Sequence, residues 1–151
     1  MINMKIFVIL GLFVAYTQAT SEPITVLDRI GQAQLACAQE NGWDVNEMKE
    51  LARKDVMPED NDQFHDFIFC YWKKINAVDE NGVINKLQMK IIVPHFITAK
   101  HPNVSENDAT KLADQAVDEC IGKTTTTAKS IGHSLVLFRN CFVQYVVDRQ
   151  S

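Results

Sequence analysis

The stretch from Phe64 to Ile75 reads Phe-His-Asp-Phe-Ile-Phe-Cys-Tyr-Trp-Lys-Lys-Ile. Its large apolar residues, Phe64, Phe67, Ile68, Tyr71, Trp72 and Ile75, recur at the spacing of one helix face, and Cys70 lies on the flank of that stripe. A strand would need alternation at period two, which this stretch lacks. The same reading extends in both directions. Upstream, Val26, Ile30, Ala33 and Cys37 form an inward face, Pro23 is expected in the first turn, and Asn41-Gly42 stops the segment. Asp44 with Glu47 has the pattern of a capping box for a short second helix carrying Val45, Met48, Leu51 and Ala52. Met57-Pro58 then breaks the chain, and a polar loop follows to Gln63.

Downstream, Asp79-Glu80-Asn81-Gly82 is a turn. A fourth helix is predicted from about Asn85, with Leu87, Ile91 and Ile92 inward and Pro94 kinking or dividing it. Ser105 caps a fifth, on whose inner face lie Ala109, Leu112, Ala113, Ala116, Val117 and Cys120. Gly122 and the threonines at 124–127 mark a loop into the last segment. There Ile131, Leu135, Phe138, Phe142 and Tyr145 again keep the helical period. Val and Phe favour sheets, but thirteen apolar-rich residues from Leu135 to Val147 without a hairpin turn are long for a strand. The expected fold class is all-α, a compact bundle of about six short helices; its two disulfides are expected from the cysteine count, and the internal apolar cavity is what a family resemblance implies.

The chain has 151 residues, 46% of them hydrophobic and 23% charged, which suits one globular domain and excludes a collagen-like or wholly disordered chain. A net charge of −4 argues against a nucleic-acid partner. Met1 to Ala19 is expected to be a signal peptide. Lys5 precedes an unbroken apolar run of eleven residues, Ile6 to Tyr16, and Thr17-Gln18-Ala19 ends in small residues. Eleven residues span only ~16 Å as a helix against ~30 Å of hydrocarbon, so no membrane span is expected. The domains are then 1–19, signal peptide, and 20–151, one helical domain. All four cysteines lie in the second, which suits an oxidising compartment, two disulfides and three possible pairings. The gaps between them are 32, 49 and 20 residues, with no close pair to form a zinc knuckle. Asn103-Val104-Ser105 matches the glycosylation acceptor pattern.

This spacing resembles the insect odorant-binding protein family (PBP/GOBP), in particular its four-cysteine "minus-C" subgroup. The six-cysteine members carry two further cysteines, bonded to each other, at places held here by Asp66 and Gly132. Cys70-Tyr71-Trp72-Lys73-Lys74 followed by Asp79-Glu80-Asn81-Gly82 also looks like this family. The 49-residue gap between Cys70 and Cys120 is longer than the family usually shows. The resemblance implies the pairs Cys37–Cys70 and Cys120–Cys141. It implies a secreted, extracellular carrier that reversibly binds odorants, pheromones, lipids or similar small hydrophobic ligands in an internal pocket. It also implies no enzymatic activity, no cofactor and no metal. The partner is then the small hydrophobic ligand, with a membrane receptor as the macromolecular candidate, and the state a monomer or weak homodimer. An unfilled apolar hole costs ~24 cal/mol per Å³, so a bundle that keeps one is suited to a guest.

In the family the last helix forms a cavity wall. Here that places Leu135, Phe138 and Phe142 on the wall, with the Tyr145 hydroxyl beside them. The facing groups are expected to be Phe67, Tyr71, Ile92, Phe96 and Ala116. The competing reading of all nine is plain core packing. The alternative function, a secreted helical signalling or interaction protein, would have a solid core. His65, His95, His101 and His133 share no metal-ligand spacing. His65-Asp66 before Cys70-Tyr71 has a phospholipase-like look, but its spacing is two residues too long and no glycine-rich calcium loop is present. No Gly-x-Ser-x-Gly elbow, phosphate loop or His-Glu-x-x-His appears.

Overall fold

A computed structural model describes residues 23–123 and 127–150. The expected signal peptide and the threonines at 124–126 lie outside the described residues. These residues form six helices in chain order: α1 (Val26–Asn41), α2 (Val45–Arg53), α3 (Asp62–Lys74), α4 (Lys86–Lys100), α5 (Glu106–Ile121) and α6 (Ile131–Gln150). An isolated bridge between Val78 and Ile84 closes the turn before α4.

Local chemistry sets the helix ends. Thr25 and Asp28 form a reciprocal capping box: the Thr25 hydroxyl accepts from the Asp28 N–H, and the Asp28 carboxylate accepts from the Thr25 N–H, each at 3.1 Å. α1 therefore begins at Val26, and Pro23, expected in its first turn, lies outside the helix. At the other end Gly42 adopts φ 69°, and Trp43 donates to the Ala38 carbonyl at 2.9 Å. Asn76 does the same for α3 at φ 58°, with Ala77 donating to the Trp72 carbonyl. Asp44, Asn61, Asn85 and Ser105 cap the next four helices. The Ser130 hydroxyl accepts from the His133 N–H at the start of α6.

One expectation for α4 is narrowed and one changes. Pro94 lies inside the helix without dividing it, and the Thr98 hydroxyl donates to the Pro94 carbonyl one turn on. Leu87 and Ile91 point outward, 77% and 55% exposed, whereas Met89, Ile92, Val93 and Ile97 are buried. The α4 stripe is rotated because the helix must meet α5 on one side and the interior on another. Ile131, at the head of α6, is also partly exposed and lies against the Asp79–Gly82 turn, where a β-carbon on Gly82 would fall 2.3 Å from the Ile131 Cγ2.

α3 packs on α1 and α6, and α5 packs on α4 and α6. The disulfides reinforce these contacts: Cys37–Cys70 joins α1 to α3, and Cys120–Cys141 joins α5 to α6. With sequence separations of 33 and 21 between the paired positions, each closure stabilises by roughly 3–4 kcal/mol through the unfolded chain. α4 has no such link and is held to α5 by packing and by ion pairs from Lys86 and Lys90 to Asp118, at 2.8 and 3.4 Å.

Where α3 crosses α6, Gly132 meets the backbone of His65 so closely that a β-carbon would fall 2.1 Å from the His65 carbonyl oxygen. The buried rings of His65 and His133 lie beside this crossing with centroids 5.1 Å apart. His133 Nδ1 accepts from the Lys129 N–H, while His65 Nε2 is buried without a hydrogen bond among the described residues. Close backbone approach, with no covalent link, joins α3 to α6 at this crossing.

Candidate functional site

The apolar faces do not close completely. Between α1, α2, α3, α4 and the second half of α6 lies a cavity of about 420 Å³, within the range of small-ligand sites. Its wall is mainly aliphatic and aromatic: Ile30 from α1, Trp72 from α3, Met89, Ile92 and Ile97 from α4, and Phe142, Val143 and Val146 from α6. Met57 enters from the loop after α2. That loop is pinned by α6. The Asn140 side chain accepts from the Met57 N–H at 2.8 Å and donates to its carbonyl at 3.0 Å, and the Arg139 guanidinium donates to the Asp55 carbonyl at 2.6 Å.

The wall also carries polar groups, among them Tyr71 and Arg139. Tyr71 is buried, and burial pushes its phenol above the ordinary value against the opposing pull of Trp72, Gln34 and Arg139. It is therefore a neutral hydroxyl at any physiological pH. Arg139 is only 7% exposed. Burial lowers its pKa, and Tyr71 and the Asp55 carboxylate offset part of that. An arginine stays charged under such a shift.

The nine expected site residues separate into two groups. Tyr71, Ile92, Phe96 and Phe142 line the cavity. Phe67 and Phe138 lie one layer behind it. The Phe67 ring packs on Tyr71 with centroids 5.1 Å apart, and Phe138 packs on Trp72 and Phe142 at 6.2 and 5.7 Å. Leu135 and Ala116 are fully buried in the packed interior. The Tyr145 hydroxyl turns to the Gln115 side chain at 3.4 Å, and the Arg149 guanidinium lies 3.3 Å over its ring. Sequence reasoning missed the walls from α1 and α2 altogether. It also missed Arg139, although one signal was available: a lone cation within the apolar run from Leu135 to Val147.

The arrangement holds no group of three metal-ligating side chains among the described residues. No described helix is long and apolar enough to cross a membrane. What the fold defines is a disulfide-stapled helical bundle with a largely apolar hollow that opens to solvent on one side. A family model described as the PBP/GOBP family matches residues 20–145, and the chain belongs to that family. Its four cysteines accord with the subgroup that lacks one of the three bridges. No curated protein and no solved structure matches the chain.

Proposed function

We propose that this protein is an extracellular carrier that reversibly binds small hydrophobic molecules in the cavity between α1, α3, α4 and α6. The observation that carries this reading is the hollow itself, about 420 Å³ walled by Ile30, Trp72, Met89, Ile92 and Phe142. Membership of a family of binding proteins supports it. The signalling alternative needs a solid interior, and no observation favours it. Burying ~300 Å² of apolar ligand surface yields ~7 kcal/mol before the costs of association, which sets micromolar affinity as the expected range. Within the expected site, the proposed contacts are Tyr71, Ile92, Phe96 and Phe142, with Phe67 and Phe138 supporting them from behind.

The test is displacement of a neutral fluorescent probe such as N-phenylnaphthylamine. A carrier shows saturation near one site per chain and competition by apolar molecules. A folded protein, verified by circular dichroism, that binds neither the probe nor any member of a lipid and odorant panel refutes the reading.

A further inference from the structure

The charges around the cavity are all of one sign. Lys49 and Arg53 from α2, Lys100 at the end of α4, His101 beside it and Arg139 from α6 line it, and no Asp or Glu does. The whole chain has 19 acids and 15 Lys and Arg, so this selection runs against the composition. Arg53 and Lys100 are exposed and mark a rim, Lys49 and His101 are half-buried, and Arg139 is buried beside Tyr71. Lys49, Arg53 and Arg139 form no ion pair among the described residues.

The neighbouring loop already supplies one anion to this cluster. The Asp55 carboxylate pairs with Lys100, and it is held below its ordinary value first by Lys100 and further by Arg139 and His101. It is exposed and stands outside the cavity wall. One carboxylate against four permanent cations leaves the cavity side electropositive. A buried guanidinium in an apolar wall favours a planar anionic group that it can bond.

We propose that the cavity takes an amphipathic carboxylate, its hydrocarbon body against Ile92 and Phe142 and its head beside Arg139, with Lys49, Arg53 and Lys100 at the rim. This rests on the carrier reading and narrows it to a ligand class. The Tyr71 hydroxyl, kept neutral by burial, lines the same wall.

The test compares ligands of equal chain length, dodecanoate, dodecanol and dodecyltrimethylammonium, as competitors of N-phenylnaphthylamine at pH 7.4 and below micelle-forming concentrations. Dodecanoate is expected to displace the probe at about tenfold lower concentration than dodecanol, the scale of one charge-assisted hydrogen bond, with the cationic amphiphile weakest. Arg139→Gln should collapse the acid-to-alcohol ratio. The double variant Lys49→Gln/Arg53→Gln should narrow it and serves as the second measurement should Arg139→Gln not fold. Dodecanol binding as well as dodecanoate overturns the proposal and leaves the carrier standing. An unchanged ratio in the folded variants also overturns it. Probe binding with no competition by dodecanoate also overturns it, whereas a folded protein that binds neither the probe nor any member of the lipid and odorant panel refutes the carrier reading instead.

Discussion

From Gly132 to Phe138, α6 is pressed against α3. From Arg139 to Val146, the same helix runs along the hollow. Both halves turn large apolar side chains inward, Leu135, Val136 and Phe138 in the first and Phe142 and Val146 in the second. What differs is what stands opposite. In the first half a glycine lets the α3 backbone come into contact at His65, so the neighbouring side chains fill the space between the helices. In the second half the facing groups are Tyr71, Trp72, Met89 and Ile92, and they stop short of the α6 side chains. Trp72, edge-on to Phe138 at 6.2 Å, is the partition between the two regions. The difference shows that the hollow is made by withholding contact along a surface whose chemistry is that of the core.

This contrast makes the two phenylalanines unequal. Phe138→Ala is expected to cost about 3–5 kcal/mol in urea denaturation, because its site is closed on every side. Phe142→Ala should cost clearly less, because its ring already borders open space, and it should shift ligand preference toward bulkier molecules. Equal losses would mean that the halves are packed alike.

A second pair sharpens the comparison through one substitution made twice. Gly132→Ala forces a β-carbon into the His65 backbone and should destabilise by about 1–3 kcal/mol. Gly31, on α1 beside the hollow, has nothing within 4 Å of an added β-carbon. Gly31→Ala should therefore stabilise by about 0.5–1 kcal/mol through helix propensity. A Gly132→Ala melt that did not fall would contradict the close crossing, and a Gly31→Ala melt that fell would contradict the open space beside α1.

The smallest effect is expected outside both halves, at the α4–α5 seam. The Asp118 carboxylate is held below its ordinary 3.8, chiefly by its hydrogen bond with Lys86 and further by Lys90. Its folded pKa is depressed, so its contribution is present above the unfolded value and is lost as pH falls through the folded one. Asp118→Asn should slightly lower stability at pH 7 and leave the gap between wild type and variant smaller below pH 4. Probe binding should not change, since α5 contributes nothing to the cavity wall.

The helices were legible because their signals are local. Thr25 is an exception that proves instructive: its box with Asp28 lies within four residues, yet Pro23 drew the start of α1 too early. Leu87 and Ile91 misled because a period shows that a face exists without showing which neighbour claims it. The site was harder to read. Phe67 and Tyr71 are one turn apart on one stripe of α3, as Phe138 and Phe142 are on α6, and nothing in their types separates a wall residue from the layer behind it.

The sequence alone determined the helix periods and some of their caps, among them Asp44 and Ser105, because each depends on residues within a turn or two; the disulfide pairing followed from the family resemblance. Only the tertiary structure decided where the interior stays empty and that Lys49, Arg53, Lys100 and Arg139 converge on that space. A void and a local potential belong to the gap between elements, and their size depends on distances that no single segment encodes.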